Sequence, residues 1–363
     1  MNEGKSRGPI DESSLRAQVD ERVKYIEAQL SEKDRIIKGL KSEIGSLKYF
    51  EGQLINAIKP FPKAQLKGME TPKPSRGTIH EAMLDLTDIH AEELVKSEEM
   101  EGYAHHDWES FLAKAWLTGE KTLELVSLMR ANYPVPILNI NLLGDILTGV
   151  IHDELDRTNT FQTPDAVVQT ASVLAQLLLK IAPHFDEIPV RAVVGNHGRM
   201  DKKPPSKQKA ARNWDYAVYQ ITKLLTRSEP KIKWTIPESP AMQFDCCGKT
   251  FLIKHGDSMR STGILPYYGI YRDSTEEQKK RKPTGGFDYM KIGHWHHFAR
   301  LEGNVIISPS MIGPSQYSFN KLHTTSPAAQ LLTFITAKHD LGIVDYKPIK
   351  LDKANGHKFE GLI

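Results

Sequence analysis

The chain has 363 residues, of which 26% are charged and 39% hydrophobic, and its formal net charge is +3. That is an ordinary balance for a globular protein with one large domain and appendages, and it confines any nucleic-acid affinity to local patches. Two cysteines, the neighbours Cys246 and Cys247, exclude a disulfide framework and a CxxC zinc site, and fit a reducing compartment. The N-terminal "MNEGKSRGPIDESS" has no apolar signal-peptide core, and no stretch approaches the roughly 18 consecutive apolar residues of a membrane span. The expectation is a cytoplasmic protein without membrane contact.

In chain order, residues 12–58 come first. Apolar residues from Val23 to Ile58 recur on alternating steps of three and four, interrupted by Lys33 and Glu51. Such a stripe predicts a coiled coil, about 70 Å long if continuous at 1.5 Å per residue. The expected segments are a helical oligomerisation segment at 1–58, a linker at 59–77 and a catalytic domain at 78–363. A homo-oligomer follows from the first, although a helix folded back on the domain has the same pattern. The linker assignment rests on "KPFPKAQLKGMETPKPSRG", which is proline-rich and aperiodic.

Beyond it, "EAMLDLTD", "ILNINLLGD", "IPVRAVVGN", "TFLIKHG" and "YMKIGHW" each read as a buried strand ending in polar residues. The intervening "WESFLAKAWLTGEKTLELVSLMRAN", "PDAVVQTASVLAQLLLKIAPHF" and "WDYAVYQITKLLTR" show helical spacing. The alternation predicts an α/β fold with inner sheets and outer helices, and a site at the C-terminal ends of the strands.

Those ends carry Asp88 and His90, then Asp145, Asn196 with His197, His255, and finally His294 with His296. Residues i and i+2 of a strand end project to one side, so Asp88 and His90 can reach one ion. Imidazole, carboxylate and amide donors suit Mn²⁺, Fe or Zn²⁺ better than Mg²⁺ or Ca²⁺. A carboxylate between two cations can bridge them, and two metals about 3.5–4 Å apart hold a hydroxide for in-line attack on a phosphoryl group.

Taken together, Asp88-Ile-His90, Gly144-Asp145, Gly195-Asn196-His197, His255-Gly256 and Gly293-His294-Trp295-His296 make the chain resemble the calcineurin-like metallophosphoesterases. The resemblance covers about residues 80–350. It implies two packed β-sheets flanked by helices and a two-metal phosphodiester hydrolase, with Mn²⁺ as the expected pair of ions. By it, Asp88, His90 and His296 hold one metal, and Asn196, His255 and His294 the other, with Asp145 bridging. His197 is then the catalytic histidine that protonates the leaving oxygen or stabilises phosphate charge. His297 fits no family role. One departure stands out: where the family has Asp or Glu after the GNH triplet, this chain has Gly198 and Arg199.

For the substrate, two basic segments beside the motifs are informative. "GRMDKKPPSKQKAAR" holds Arg199, Lys202 and Lys203, the expected substrate-binding residues, followed by Lys207, Lys209 and Arg212. A second loop runs from Arg272 to "KKRK" at Lys279–Lys282, after Tyr267, Tyr268 and Tyr271. Positive charge and stacking aromatics fit DNA, and within the family the chain most resembles double-strand-break repair nucleases of the SbcD type. The nuclease expectation stands against a phosphatase for small phosphoesters or phosphoproteins, and against a non-enzymatic nucleic-acid scaffold.

Overall fold

The computed structural model describes residues 77–352, except 152, 260–265, 303 and 323–324, together with isolated residues between 21 and 41. The chain divides into two compact units, Met1–Asn56 and Ala57–Ile363. The expected coiled-coil stripe and the linker lie outside the described residues, apart from isolated helical positions such as Leu30 and from Gly77.

The second unit is a mixed α/β sandwich of two sheets flanked by helices. In the first sheet, β1 (His80–Leu86), β2 (Ile137–Leu142), β3 (Ile188–Ala192) and β4 (Ile232–Thr235) run parallel. β10 (Ala329–Thr336) and β11 (Gly342–Lys350) add antiparallel strands, giving the order β11-β10-β1-β2-β3-β4. The second sheet contains β5 (Ala241–Cys246), β6 (Lys249–Lys254), β7 (Tyr289–Ile292), β8 (Ala299–Leu301) and β9 (Val305–Ile307), in the order β5-β6-β7-β9-β8. β1 and β2 are buried along almost their whole length, as parallel strands covered on both faces are, and their polar residues Asp85, Asn139 and Asn141 are buried with the rest.

Six helices are described: α1 (Trp108–Arg130), α2 (Asp153–Thr158), α3 (Thr163–Ile181), α4 (Trp214–Leu225), α5 (Pro266–Arg281) and α6 (Gln316–Leu322). Asp107 caps α1 by accepting from the Ser110 N–H at 2.8 Å, and Asn213 caps α4 by accepting from Asp215 N–H at 2.8 Å. α1 packs on α3 and α3 on α4. The segment Thr163–His184 is long and apolar enough to cross a membrane, but most of it is buried in this core.

α5 corrects the expectation of a second basic loop, because the segment from Arg272 to Arg281 is helical. It lacks an apolar stripe, so periodicity misses it. What supports it is charge: Arg272 pairs with Glu276 at 3.0 Å, Arg281 pairs with Glu277 one turn back, and Lys279–Arg281 face the negative helix end. Ile270 anchors the helix against Met290 and Ile292 of the second sheet.

Between the sheets lie Met83 and Ile335 from the first and Cys246 and Phe251 from the second, all buried. A buried ion pair crosses this interface. Lys291 Nζ donates to Asp85 Oδ2 at 2.9 Å and to Thr333 Oγ1 at 3.0 Å, while Ser308 and Asn141 donate to the same carboxylate at 2.8 and 2.9 Å. Every charge-bearing atom there is matched, which a buried pair needs to offset desolvation. Asp85 is three residues before Asp88 and Lys291 three before His294, so the pair sits beneath the strand ends.

Candidate metal centre

Strand register brings the motif turns to one rim. Leu86 pairs with Leu142 and Leu142 with Ala192, so the turns carrying Asp88, Asp145 and Asn196 leave the first sheet side by side. In the second sheet Ile253 pairs with Lys291, which aligns His255 with Gly293 and His294. Backbone bonds tie the turns together: Asp88 N–H donates to Gly144 O at 3.1 Å, and Gly293 N–H to His255 O at 2.9 Å.

Five of the expected ligands, Asp88, His90, Asp145, His294 and His296, have positive φ between 48° and 66°. This is the left-handed region that side-chain-bearing residues avoid, at a cost of about 1–3 kcal/mol each. Such strain persists only where the surroundings enforce it. Gly293 shows how tight those surroundings are, because a Cβ there would sit 2.1 Å from Thr87 Oγ1 and 2.5 Å from Asp88 Oδ2.

The side chains gather into two groups. Asp88, His90 and His296 place ligand atoms within 4.8 Å of one another, and so do Asp145, His255 and His294. Asn196 joins the second group, its Oδ1 lying 3.1 Å from His255 Nε2. The groups adjoin, since the His294 N–H donates to the Asp88 carboxylate at 2.9 Å. All seven expected ligands are therefore collected at one place. Each group also takes donors from both sheets.

The donor atoms fit cations. His90 Nε2 is buried and has no hydrogen-bond partner, a cost that a bound ion would remove. Its Nδ1 lies 3.1 Å from Thr148 Oγ1, whose hydroxyl donates onward to Glu93 Oε2 at 3.0 Å. That chain puts the His90 proton on Nδ1 and turns the Nε2 lone pair inward, the outer support that metal-ligating histidines need. His255 is arranged likewise, with Nδ1 2.8 Å from Leu143 O and Nε2 2.9 Å from Asp145 Oδ2.

Charge within the site is divided unevenly. Burial raises the Asp88 pKa, but the charge and hydrogen bond of His296 outweigh it and bring it down to about 2. Burial lowers that of His255, yet the Asp145 charge and hydrogen bond raise it to about 10. His294, lowered by burial and then by the His255 charge, falls to about 4. Burial also lowers the His197 pKa, against the pull of Asp145 and of its bond to Thr148.

His197 stands beside the first group, its ring centroid 4.8 Å from that of His90. Its N–H donates to Asp145 Oδ1 at 2.7 Å, and its Nδ1 lies 3.2 Å from Thr148 O. His297 faces away from the donors, with Nδ1 2.8 Å from Trp295 O and Nε2 3.4 Å from the Tyr267 hydroxyl. That contact links the motif to the start of α5, where Tyr267, Tyr268 and Tyr271 are exposed.

The expected substrate-binding residues are placed differently from one another. Arg199 donates from Nε, Nη1 and Nη2 to the carbonyls of Asp201, Asn196 and Lys202 at 3.0, 3.1 and 3.2 Å. Its guanidinium holds the loop in shape. Lys202 and Lys203 are exposed beyond it. Arg212 pairs with both Asp201 oxygens at 2.7 Å, and Lys209 lies 3.8 Å from Asp257. Asn196, Arg199, Lys209 and Asp257 share one cleft.

Sequence reasoning missed the polar residues behind the site. Lys114 Nζ, buried on α1, lies 3.1 Å from His106 Nδ1 and donates to Ile312 O at 3.0 Å, while His106 Nε2 lies 3.2 Å from His90 O. Asp215, fully buried on α4, accepts backbone N–H bonds from two motif turns. Its only sequence signal is the Asn213-Trp214-Asp215 helix start. A third metal-capable group, Glu81, Cys246 and Cys247, lies at the far end of β1. There Cys246 Sγ donates to Glu81 Oε2 at 3.2 Å and Asn139 Nδ2 donates to the same oxygen at 2.8 Å.

No family model matches the chain, and no curated protein matches it significantly. Solved structures show weak similarity. A zinc-complexed Vps29 from Entamoeba histolytica is 11% identical, with 74% of this chain and 99% of that one covered at a TM-score of 0.29. A predicted phosphoesterase from Streptococcus pneumoniae is 10% identical, over 74% and 98% at 0.29. A dimetal phosphatase from Danio rerio is 14% identical, over 74% and 98% at 0.34. At these scores none of the three assigns the chain to a family.

Proposed function

We propose that the protein is a two-metal-dependent phosphoester hydrolase. The observation that carries this is the pairing of two adjoining carboxylate–imidazole groups, one with an orphaned buried Nε2, beside a histidine that belongs to neither. In this reading Asp88, His90 and His296 hold one divalent ion, and Asn196, His255 and His294 the other, with Asp145 shared. Ions held there supply positive charge against the phosphoryl oxygens and acidify a water for attack. The chain's own groups do the rest. Thr148 and Leu143 orient the rings of His90 and His255 through their Nδ1 atoms. His197, whose Nδ1 lies 3.2 Å from Thr148 O, is the histidine assigned in this reading to the leaving oxygen.

For the substrate we propose a nucleic-acid phosphodiester, with Mn²⁺ as the working ion. The exposed Tyr267, Tyr268 and Tyr271 stand beside the His297 contact, and stacking on such rings suits separated strands. A second reading, a phosphatase for small phosphoesters, is favoured by a specific observation: Arg199, Arg212 and Lys209 already engage partners within their own loop or the neighbouring turn.

The test is cleavage of end-labelled single- and double-stranded DNA in Mn²⁺, beside p-nitrophenyl phosphate and its bis ester, with Asp145→Ala as control. DNA cleavage lost in the variant supports the nuclease. Monoester turnover without DNA cleavage gives the phosphatase, and no turnover of any of them ends the hydrolase reading.

A further inference from the structure

Two of the turns that carry the second ligand group are separate in sequence, at 145–147 and 195–197, and no strand pairing links their backbones beyond β2 and β3. Between them lies one carboxylate. Asp215 Oδ2 accepts from the N–H groups of Asp145 and Gly195, both at 3.0 Å. Its Oδ1 accepts from Ile146 and Leu147 at 3.1 and 3.2 Å. Four N–H groups thus converge on one buried side chain, each from a residue that is, or lies within two positions of, one expected to hold an ion.

The rest of the α4 start braces that carboxylate. Asn213 Oδ1 accepts from the Asp215 N–H, and Asn213 Nδ2 donates to Gly195 O at 2.8 Å. Trp214 N–H donates to Gly198 O at 2.6 Å. Gly198 is the position where an acidic side chain was expected, and there is no room for one. A Cβ at 198 would meet Asn213 Oδ1 at 2.4 Å and Asp215 Oδ1 at 2.9 Å. The space is already filled from the helix.

We propose that Asp215 is the positioning residue of the second metal group: from α4 it clamps the Asp145 and Asn196 turns at the separation a cation needs, in place of an acid at position 198. This rests on the two-metal reading above. The carboxylate touches no substrate and acts through the turns it holds.

The experiment is Mn²⁺ titration of the metal-free full-length protein, followed by Co²⁺ visible absorption, on wild type, Asp215→Asn, Asp215→Glu and Tyr219→Phe. Tyr219 ties the same helix to Val193 O at 2.9 Å and serves as the control for helix docking. Asp215→Asn keeps the shape but turns an amide NH₂ toward N–H donors. Its affinity for one of the two ions should fall about 10–100-fold, the scale for groups that orient ligands, with an altered Co²⁺ spectrum. Asp215→Glu retains the charge and should show the same loss in a native far-UV spectrum, which keeps the test valid if Asp215→Asn does not fold. Unchanged affinity in a folded Asp215 variant overturns the proposal, and so does an equal loss in Tyr219→Phe. Failure of the underlying reading looks different, because wild type itself would then bind fewer than two ions.

Discussion

The turns that carry the expected ligands and the basic segments that follow two of them are neighbours in sequence but opposites in construction. In the turns, five residues sit in left-handed backbone and buried carboxylates accept their backbone N–H groups. In the segment after His197, Lys202, Lys203 and Lys207 are exposed, and the arginines bond their own loop. A strained, buried turn tolerates few side chains, so its residues spell out its role. An exposed cation can take any partner within reach, so its presence in sequence says little about what it binds.

That contrast can be broken experimentally. The largest expected effect is at the catalytic histidine: His197→Ala should cut turnover about 10²–10⁴-fold, with metal content by mass spectrometry unchanged. Loss of metal in that variant would make His197 a ligand. Next is the seam beneath the turns, where Lys291→Met leaves Asp85 buried without its cation and should cost about 3–5 kcal/mol in denaturant unfolding. A cost near zero would mean that the turns do not depend on it.

A third expectation concerns protons. Because Asp145 raises His255 to about 10, the metal-free protein carries that proton at pH 7, and an ion must displace it. Uptake should release about one proton, and affinity should rise about tenfold per pH unit below that value. Calorimetry in buffers of different ionisation enthalpy reads this directly, and no release would place the proton elsewhere. The smallest effect sharpens the substrate question. If DNA is bound, Lys203→Ala should lower the salt slope of binding by about 1, while Arg212→Ala, already paired with Asp201, should leave it unchanged. Equal slopes in all three proteins would return Lys203 to solvent.

Much of the site was legible because a strand must end in a turn at the rim, and ligand-bearing turns leave short signatures such as Asp88-Ile-His90 and Gly195-Asn196-His197. The five strands behind them were legible as apolar runs for the same reason. Asp215 was not, since a carboxylate 18 residues after His197 has no local pattern tying it to the turns it holds. α5 was hidden because its stability lies in charge pairs rather than an apolar stripe. β10 and β11 were hidden because antiparallel partners at the far end of the chain are set by the sheet they join. Arg199 shows the limit from the other side: its type was read well, but its three carbonyl partners depend on how the loop closes.

The Asp85–Lys291 pair has a consequence for manufacture of the centre. Each ligand group is mounted partly on one sheet and partly on the other, so neither group exists until the two sheets are set face to face. An offset of about 1 Å is enough to loosen such a constellation, and here it would reach both groups at once. The charged pin fixes that offset, since any slide along the seam separates Nζ from Oδ2 in a dry interior. The pin therefore sets the tolerance to which a two-part socket is assembled, and substitutions on either sheet pass or fail according to whether they respect it.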